Sequence, residues 1–170
     1  MCWVIPPASP AARARSIDEL PDDVVREYGA DTLRLYILFV GPPDQDADWS
    51  DSGVEGMHRF LSRMWRLSAQ AADELPEHPI PDEVNADGER ILRKAHWAIE
   101  KVTADLDNRF SFNTAIAAVM ELINELTIDK RGAAEPGCVR FGLSTAASLL
   151  FPFAPHMSSD AYELLTGERF

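Results

Sequence analysis

Apolar residues recur along this chain at helical spacing, in blocks separated by polar stretches rich in proline and glycine. No segment alternates apolar and polar positions between hairpin turns, so helices are expected and strands are not. The first block, "PDDVVREYG", predicts a short helix opened by Pro21 and acids and closed by Gly29, the residue that best tolerates a left-handed helix end. In "ADTLRLYILFV", Asp31 stands where a helix cap belongs, and Leu33, Tyr36, Ile37 and Val40 predict a buried stripe that ends at Gly41-Pro42-Pro43.

Ser50, Asp51 and Ser52 then offer capping side chains, and Ser52 with Glu55 has the spacing of a capping box. From there a helix is predicted to about Leu75. Val54, Met57, Leu61, Met64, Trp65 and Ser68 fall on one face of it, with Arg59, Arg63 and Arg66 nearly opposite. A second long helix, roughly Asp87 to Asn108, is predicted to bury Leu92, Ala95, Ile99, Val102 and Leu106, with Arg90, Lys94 and Lys101 set off from that seam. "SFNTAIAAVMELINEL" follows, capped by Ser111 or Asn113 and burying Ile116, Val119, Ile123 and Leu126, and ends before Gly132. The last long helix, about Pro136 to Phe151, starts with proline in its first turn and presents Val139, Leu143, Ala146 and Leu150. "FPFAPH" breaks it and "MSSDAYELL" begins a terminal helix.

One apolar stripe per long helix and short connections between helices predict an all-α fold, an antiparallel up-down helical bundle. The organisation expected is a poorly ordered leader over 1–20, short helices over 21–49 and the bundle proper over 50–170.

Composition narrows the classes. With 46% hydrophobic and 26% charged residues, 170 residues suffice for one domain with a real core. No apolar run approaches the roughly 20 residues needed to cross a bilayer, and the leader "MCWVIPPASPAARARS" is too short in apolar residues for a secretory signal, so no membrane partner and a cytoplasmic location are expected. Arg13, Arg15 and Ser16 faintly resemble an organelle transit segment; a disordered lead-in is the plainer reading. A formal net charge of −12 argues against nucleic acid until its location is considered. Residues 41–56 carry five acids and 73–89 carry seven, with no Lys or Arg in either, and these account for the whole excess. The remainder is neutral on balance and leaves room for a local basic face.

No catalytic or metal constellation emerges. Cys2 and Cys138 lie outside any CxxC or Cys/His cluster, and His58, His78, His96 and His156 share no ligand spacing. His156, after a proline at a helix start, reads as a capping or packing imidazole. Ser158 and Ser159 lack nucleophile-elbow glycines, and Gly53 and Gly56 lack the context of a phosphate-binding loop. The acids sit in solvated loops, and Trp65, Trp97, Phe110 and Phe112 lie beside helical seams, where packing is the first expectation.

Three stretches resemble the leucyl-tRNA synthetases, a class I family. "VVREYGADTLRLYILFVGPPDQDADWSDSGVEGMHRFLSRMWRL" is similar to the segment after their second signature motif, "NRFSFNTAIAAVMELINEL" to the middle of their anticodon-binding-type bundle, and "LLFPFAPHMSSDAYELL" to its final helix junction. The "GPP" and "DWSDSGVEG" continuation separates the leucyl branch from relatives that share "YGAD". H-I-G-H and K-M-S-K-S do not occur, and "AARARSIDEL" stands where the latter is expected. Tyr162 stands near the Trp usual in the family's last helix, and "SSD" replaces an acidic pair.

The resemblance implies the tRNA-binding bundle of a ligase that joins leucine to its tRNA with ATP and Mg²⁺, the chain itself needing no cofactor and carrying no adenylation activity or editing domain. Its implied partners are leucine tRNA, bound weakly by the isolated chain, and the rest of a synthetase or another protein. Arg59, Arg63, Arg66, Arg90, Lys94 and Lys101 become the candidates for phosphate contacts; the alternative is that they solvate outer faces or pair with nearby acids. A free-standing, synthetase-derived bundle serving as a protein- or tRNA-binding accessory is the other functional reading.

Overall fold

The computed structural model describes residues 20–41, 49–76, 79–108 and 110–169; the expected leader, most of the first acidic loop and His78 lie outside them. Among the described residues there are eight helices and no strand: α1 (Leu20–Tyr28), α2 (Ala30–Val40), α3 (Asp51–Glu74), α4 (Ala86–Asn108), α5 (Phe112–Glu125), α6 (Ile128–Arg131), α7 (Pro136–Leu150) and α8 (Pro155–Thr166). None is long and apolar enough to cross a membrane.

The helix ends follow their local chemistry. Gly29 ends α1 and opens α2 at φ 87°, a conformation costly to any residue with a Cβ. Ser50, rather than Ser52, caps α3 by accepting the Gly53 amide at 3.2 Å. Asn85 caps α4 through Gly88 N–H at 2.9 Å. The short α6, unforeseen in the periodicity, fills the turn between α5 and α7.

Helices α4, α5 and α7 pack on one another, α8 lies on α7 and α3, and α2 bridges α3, α5 and α8. The seams of α5 and α7 are as expected: Ile116, Val119, Ile123, Leu126, Val139, Leu143, Ala146 and Leu150 are all buried. Gly142 of α7 is demanded by close approach, since a Cβ there would lie 2.9 Å from Leu126 Cδ2 and 3.1 Å from Ile91 Cγ2.

Two faces differ from expectation. On α4 the buried line is Ile91, Ala95, Ala98 and Val102, whereas Ile99 is 37% exposed, and Leu92 and Leu106 lie at its margin. This helix is packed by both α5 and α7, and the small Ala95 and Ala98 let those backbones come close; a branched Ile at that point would hold them apart. On α2, Leu35 and Tyr36 are buried while Ile37 is 55% exposed, because the helix turns its Thr32–Tyr36 side to α3 and α8.

Asp31 does not cap its own helix. Its carboxylate, 2% exposed, accepts Met157 N–H at 2.7 Å and meets His156 Nδ1 at 2.8 Å. It thereby caps the start of α8, where Pro155 has no N–H and Ala154 has no side-chain acceptor. A second long-range tie is made by Arg140, 8% exposed on α7. Its guanidinium donates to Ala71 O (3.2 Å) and Leu75 O (3.1 Å) at the end of α3 and to Leu165 O (2.5 Å) at the end of α8. One cation thus satisfies carbonyls at two helix C-termini, where the helix dipole favours positive charge.

Candidate nucleic-acid interface

The six basic residues singled out from the sequence separate into two environments. On α3, Arg59 and Arg66 are exposed and Arg63 is half-buried at the edge of a buried arc widened by Phe60 and Leu67. Periodicity brings the three arginines to neighbouring turns, since residues three and four apart share a helix face. With Gly56, Met57, Phe60, Ser62 and Met120 they line one open depression of about 520 Å³ between α3 and α5.

Among the described residues their polar partners are few. Arg59 lies 3.7 Å from Glu55, with its side chain 72% exposed, and Arg66 Nε donates to Ser62 O at 3.4 Å. The Arg63 guanidinium stands 6.0 Å from the Phe60 ring centroid. Arg63 Nε and Ser62 Oγ are buried atoms with no hydrogen-bond partner among the described residues. A cluster of guanidinium groups held this loosely offers forked donors to an incoming phosphate without first breaking a strong internal ion pair.

The α4 residues are committed to carboxylates. Arg90 Nη1 lies 2.6 Å from Asp87 and its Nε 3.4 Å from Glu125, and it donates to Lys130 O. Lys94 Nζ lies 2.6 Å from Glu121 and 3.5 Å from the Trp97 ring centroid, and Lys101 Nζ lies 2.7 Å from Asp105. Asp87 also accepts Ala133 N–H at 3.0 Å; that bond, with Arg90 beside it, holds its carboxyl below the ordinary 3.8. The hydrogen bond to Asp87, reinforced by Glu125, in turn raises Arg90. These pairs tie α4 to α5 and to the α6–α7 turn. Lys101 and Thr114 (2.6 Å) both engage Asp105, joining the end of α4 to the start of α5.

Other reactive groups are held in structural roles. Burial, then the adjacent Glu135 carboxylate, pushes the Cys138 thiol above its ordinary value, which keeps it protonated. Among the described residues no group of three or more His, Cys, Asp or Glu side chains is placed to hold a metal. Met120 was not legible as part of the basic depression, because it comes from α5 and shares no periodicity with α3.

Residues 89–170 match the family model described as the anticodon-binding domain of tRNA ligase. The leucine-tRNA ligase of Desulfatibacillum aliphaticivorans is 41% identical over 151 residues, which cover 85% of this chain and 18% of that protein. For the leucine-tRNA ligase of Syntrophobacter fumaroxidans the identity is 43% over 152 residues, again 85% and 18%, and for that of Acinetobacter baylyi 43% over 140 residues, 81% and 16%. The chain therefore spans less than a fifth of the length of these curated relatives. A crystal structure of a LeuRS-tRNA-LeuAMS ternary complex from Agrobacterium radiobacter superposes with a TM-score of 0.76 at 36% identity, covering 91% of this chain and 21% of that one.

Proposed function

The chain belongs with the leucine-tRNA ligases as their anticodon-binding-domain region, and on that premise we propose that it binds leucine tRNA through the α3 arginine face. Arg59, Arg63 and Arg66 meet phosphates; Arg90, Lys94 and Lys101 act chiefly in holding α4 against its neighbours. The observation that carries this division is the contrast in partners: Arg90, Lys94 and Lys101 each have a carboxylate within 3.4 Å, whereas among the described residues the one carboxylate contact of the α3 arginines is Arg59–Glu55 at 3.7 Å. The similarity to a ligase solved with tRNA supports the ligand class.

Phosphate contacts position RNA without reading bases, so the region contributes affinity and orientation while leucine activation with ATP and Mg²⁺ belongs to other parts of a ligase. The remainder of such a ligase is the proposed protein partner, and the cytoplasm the proposed location. Affinity of the isolated chain is weak, because the acidic stretches around 41–56 and 73–89 repel the same polyanion.

Titration of leucine tRNA at several salt concentrations tests this. Replacing Arg59, Arg63 and Arg66 together by Ala is expected to flatten the slope of log K against log salt by about two units, each lost phosphate contact removing roughly 0.7–0.9. Equal slopes for wild type and variant, with wild-type binding measurable, refute it.

A further inference from the structure

We propose that the depression between α3 and α5 receives one unpaired nucleotide of the bound RNA, its base or ribose against Met57, Phe60 and Met120 and its phosphates on the arginines. This rests on the tRNA-binding reading and adds to it the form of the RNA at that spot. A helical backbone passing over α3 needs only exposed cations. The depression offers more than that: about 520 Å³, within the roughly 300–1,000 Å³ typical of small-ligand sites, with carbon supplied by two methionines and a phenylalanine.

The polar atoms there point the same way. Arg63 Nε and Ser62 Oγ, both buried and both without a hydrogen-bond partner among the described residues, belong to residues lining the depression. Buried polar groups ordinarily find partners, and a ribose hydroxyl or base edge entering the depression provides acceptors and donors that a phosphate held above α3 does not. Arg63 standing over the Phe60 ring at 6.0 Å presents a planar guanidinium, a surface on which bases stack. Charge complementarity selects a polyanion: three arginines converge here in a chain of net charge −12.

The test competes labelled leucine tRNA from the full chain with a short single-stranded RNA or with a blunt RNA duplex of equal phosphate count, at one salt concentration. The single strand is expected to compete at a concentration about fivefold lower or better, the scale of one base stacked on a side-chain platform, despite the lower charge density of a single strand. Met120→Ala is expected to remove most of that preference while leaving the salt slope unchanged. Equal competition, or preference for the duplex, overturns the nucleotide proposal and leaves the phosphate reading standing. Retention of the full preference by a folded Met120→Ala protein overturns the assignment to this depression. Absence of any tRNA binding by wild type overturns both readings, and a free mononucleotide competing as well as the single strand overturns RNA as the ligand.

Discussion

Replacing Asp31 by Ala should loosen α8 from the opposite end of the sequence. The carboxylate is 2% exposed and accepts Met157 N–H at 2.7 Å, so its loss leaves a buried amide near the α8 N-terminus without an acceptor. An orphaned buried hydrogen-bonding group costs about 1–3 kcal/mol. Loss of a negative charge at a helix N-terminus adds about 0.3–1 kcal/mol, and up to about 2 where it is shielded from water. Together these predict a destabilisation of about 2–3 kcal/mol for Asp31→Ala, in line with measured losses of N-caps and their charge-assisted bonds. Asp31→Asn keeps the shape and an amide oxygen to accept the Met157 N–H, so it should cost only about 1 kcal/mol. The contact to His156 contributes less than about 1 kcal/mol, because the imidazole side chain is 71% exposed. Urea denaturation followed by circular dichroism measures both variants against wild type. With a slope of about 1–3 kcal/mol per molar, the Asp31→Ala midpoint should fall by about 1 M or more. Amide exchange should accelerate at Met157 more than in the middle of α5. An unfolding free energy for Asp31→Ala within about 0.5 kcal/mol of wild type would refute this long-range cap.

Arg140→Met should cost on the order of 2–3 kcal/mol in the same assay, since carbonyls at the ends of α3 and α8 lose a charged donor, and Arg140→Lys should recover only part of it; a neutral Arg140→Met contradicts the double cap. Ile123→Ala should cost about 2–5 kcal/mol as a fully buried aliphatic deletion, and Ile99→Ala, at 37% exposure, about 1 kcal/mol or less. Equal losses at the two positions show that the α4 face is assigned wrongly. Asp87, held below its ordinary 3.8 by the Ala133 amide and Arg90, contributes stability that is fully present above 3.8 and is lost as pH falls through its lowered folded value. Asp87→Asn should therefore flatten the acid limb of the stability curve below that pH, and an unaltered acid limb counts against the linkage.

The elements were legible because their signals are local. Apolar spacing, Pro136 in a first turn, Gly29 at a chain reversal and the "FPFAPH" break each act within a few residues, so the long helices of the sequence reading reappear with ends shifted by a residue or two. The seams of α5 and α7 were equally legible, each having one dominant apolar stripe. The candidate arginines of α3 were found on one side of their helix for the same reason.

Tertiary structure decided what periodicity cannot see. Ala98 and Ile99 are both apolar neighbours on α4, and only the closeness of α5 and α7 selects the smaller one for the interior. Asp31 sits at a position that locally reads as a cap for α2, yet its carboxylate serves an amide 126 residues away, because folding places the start of α8 beside it. Arg140 interrupts an apolar stripe and would be assigned to solvent by pattern alone; the ends of α3 and α8 converge on it and supply the carbonyls that make its burial tolerable. The same holds for the basic residues. Six similar side chains are equivalent in a sequence, but packing delivers α5 carboxylates to Arg90 and Lys94, while Lys101 pairs with Asp105 one turn along its own helix, and packing brings Met120 to the arginines of α3. Sequence thus determined which segments are helical and which sides are available, through interactions one or two turns long. Which of those sides is buried, paired or left open was determined by contacts between helices, whose energies depend on distances that no local pattern encodes.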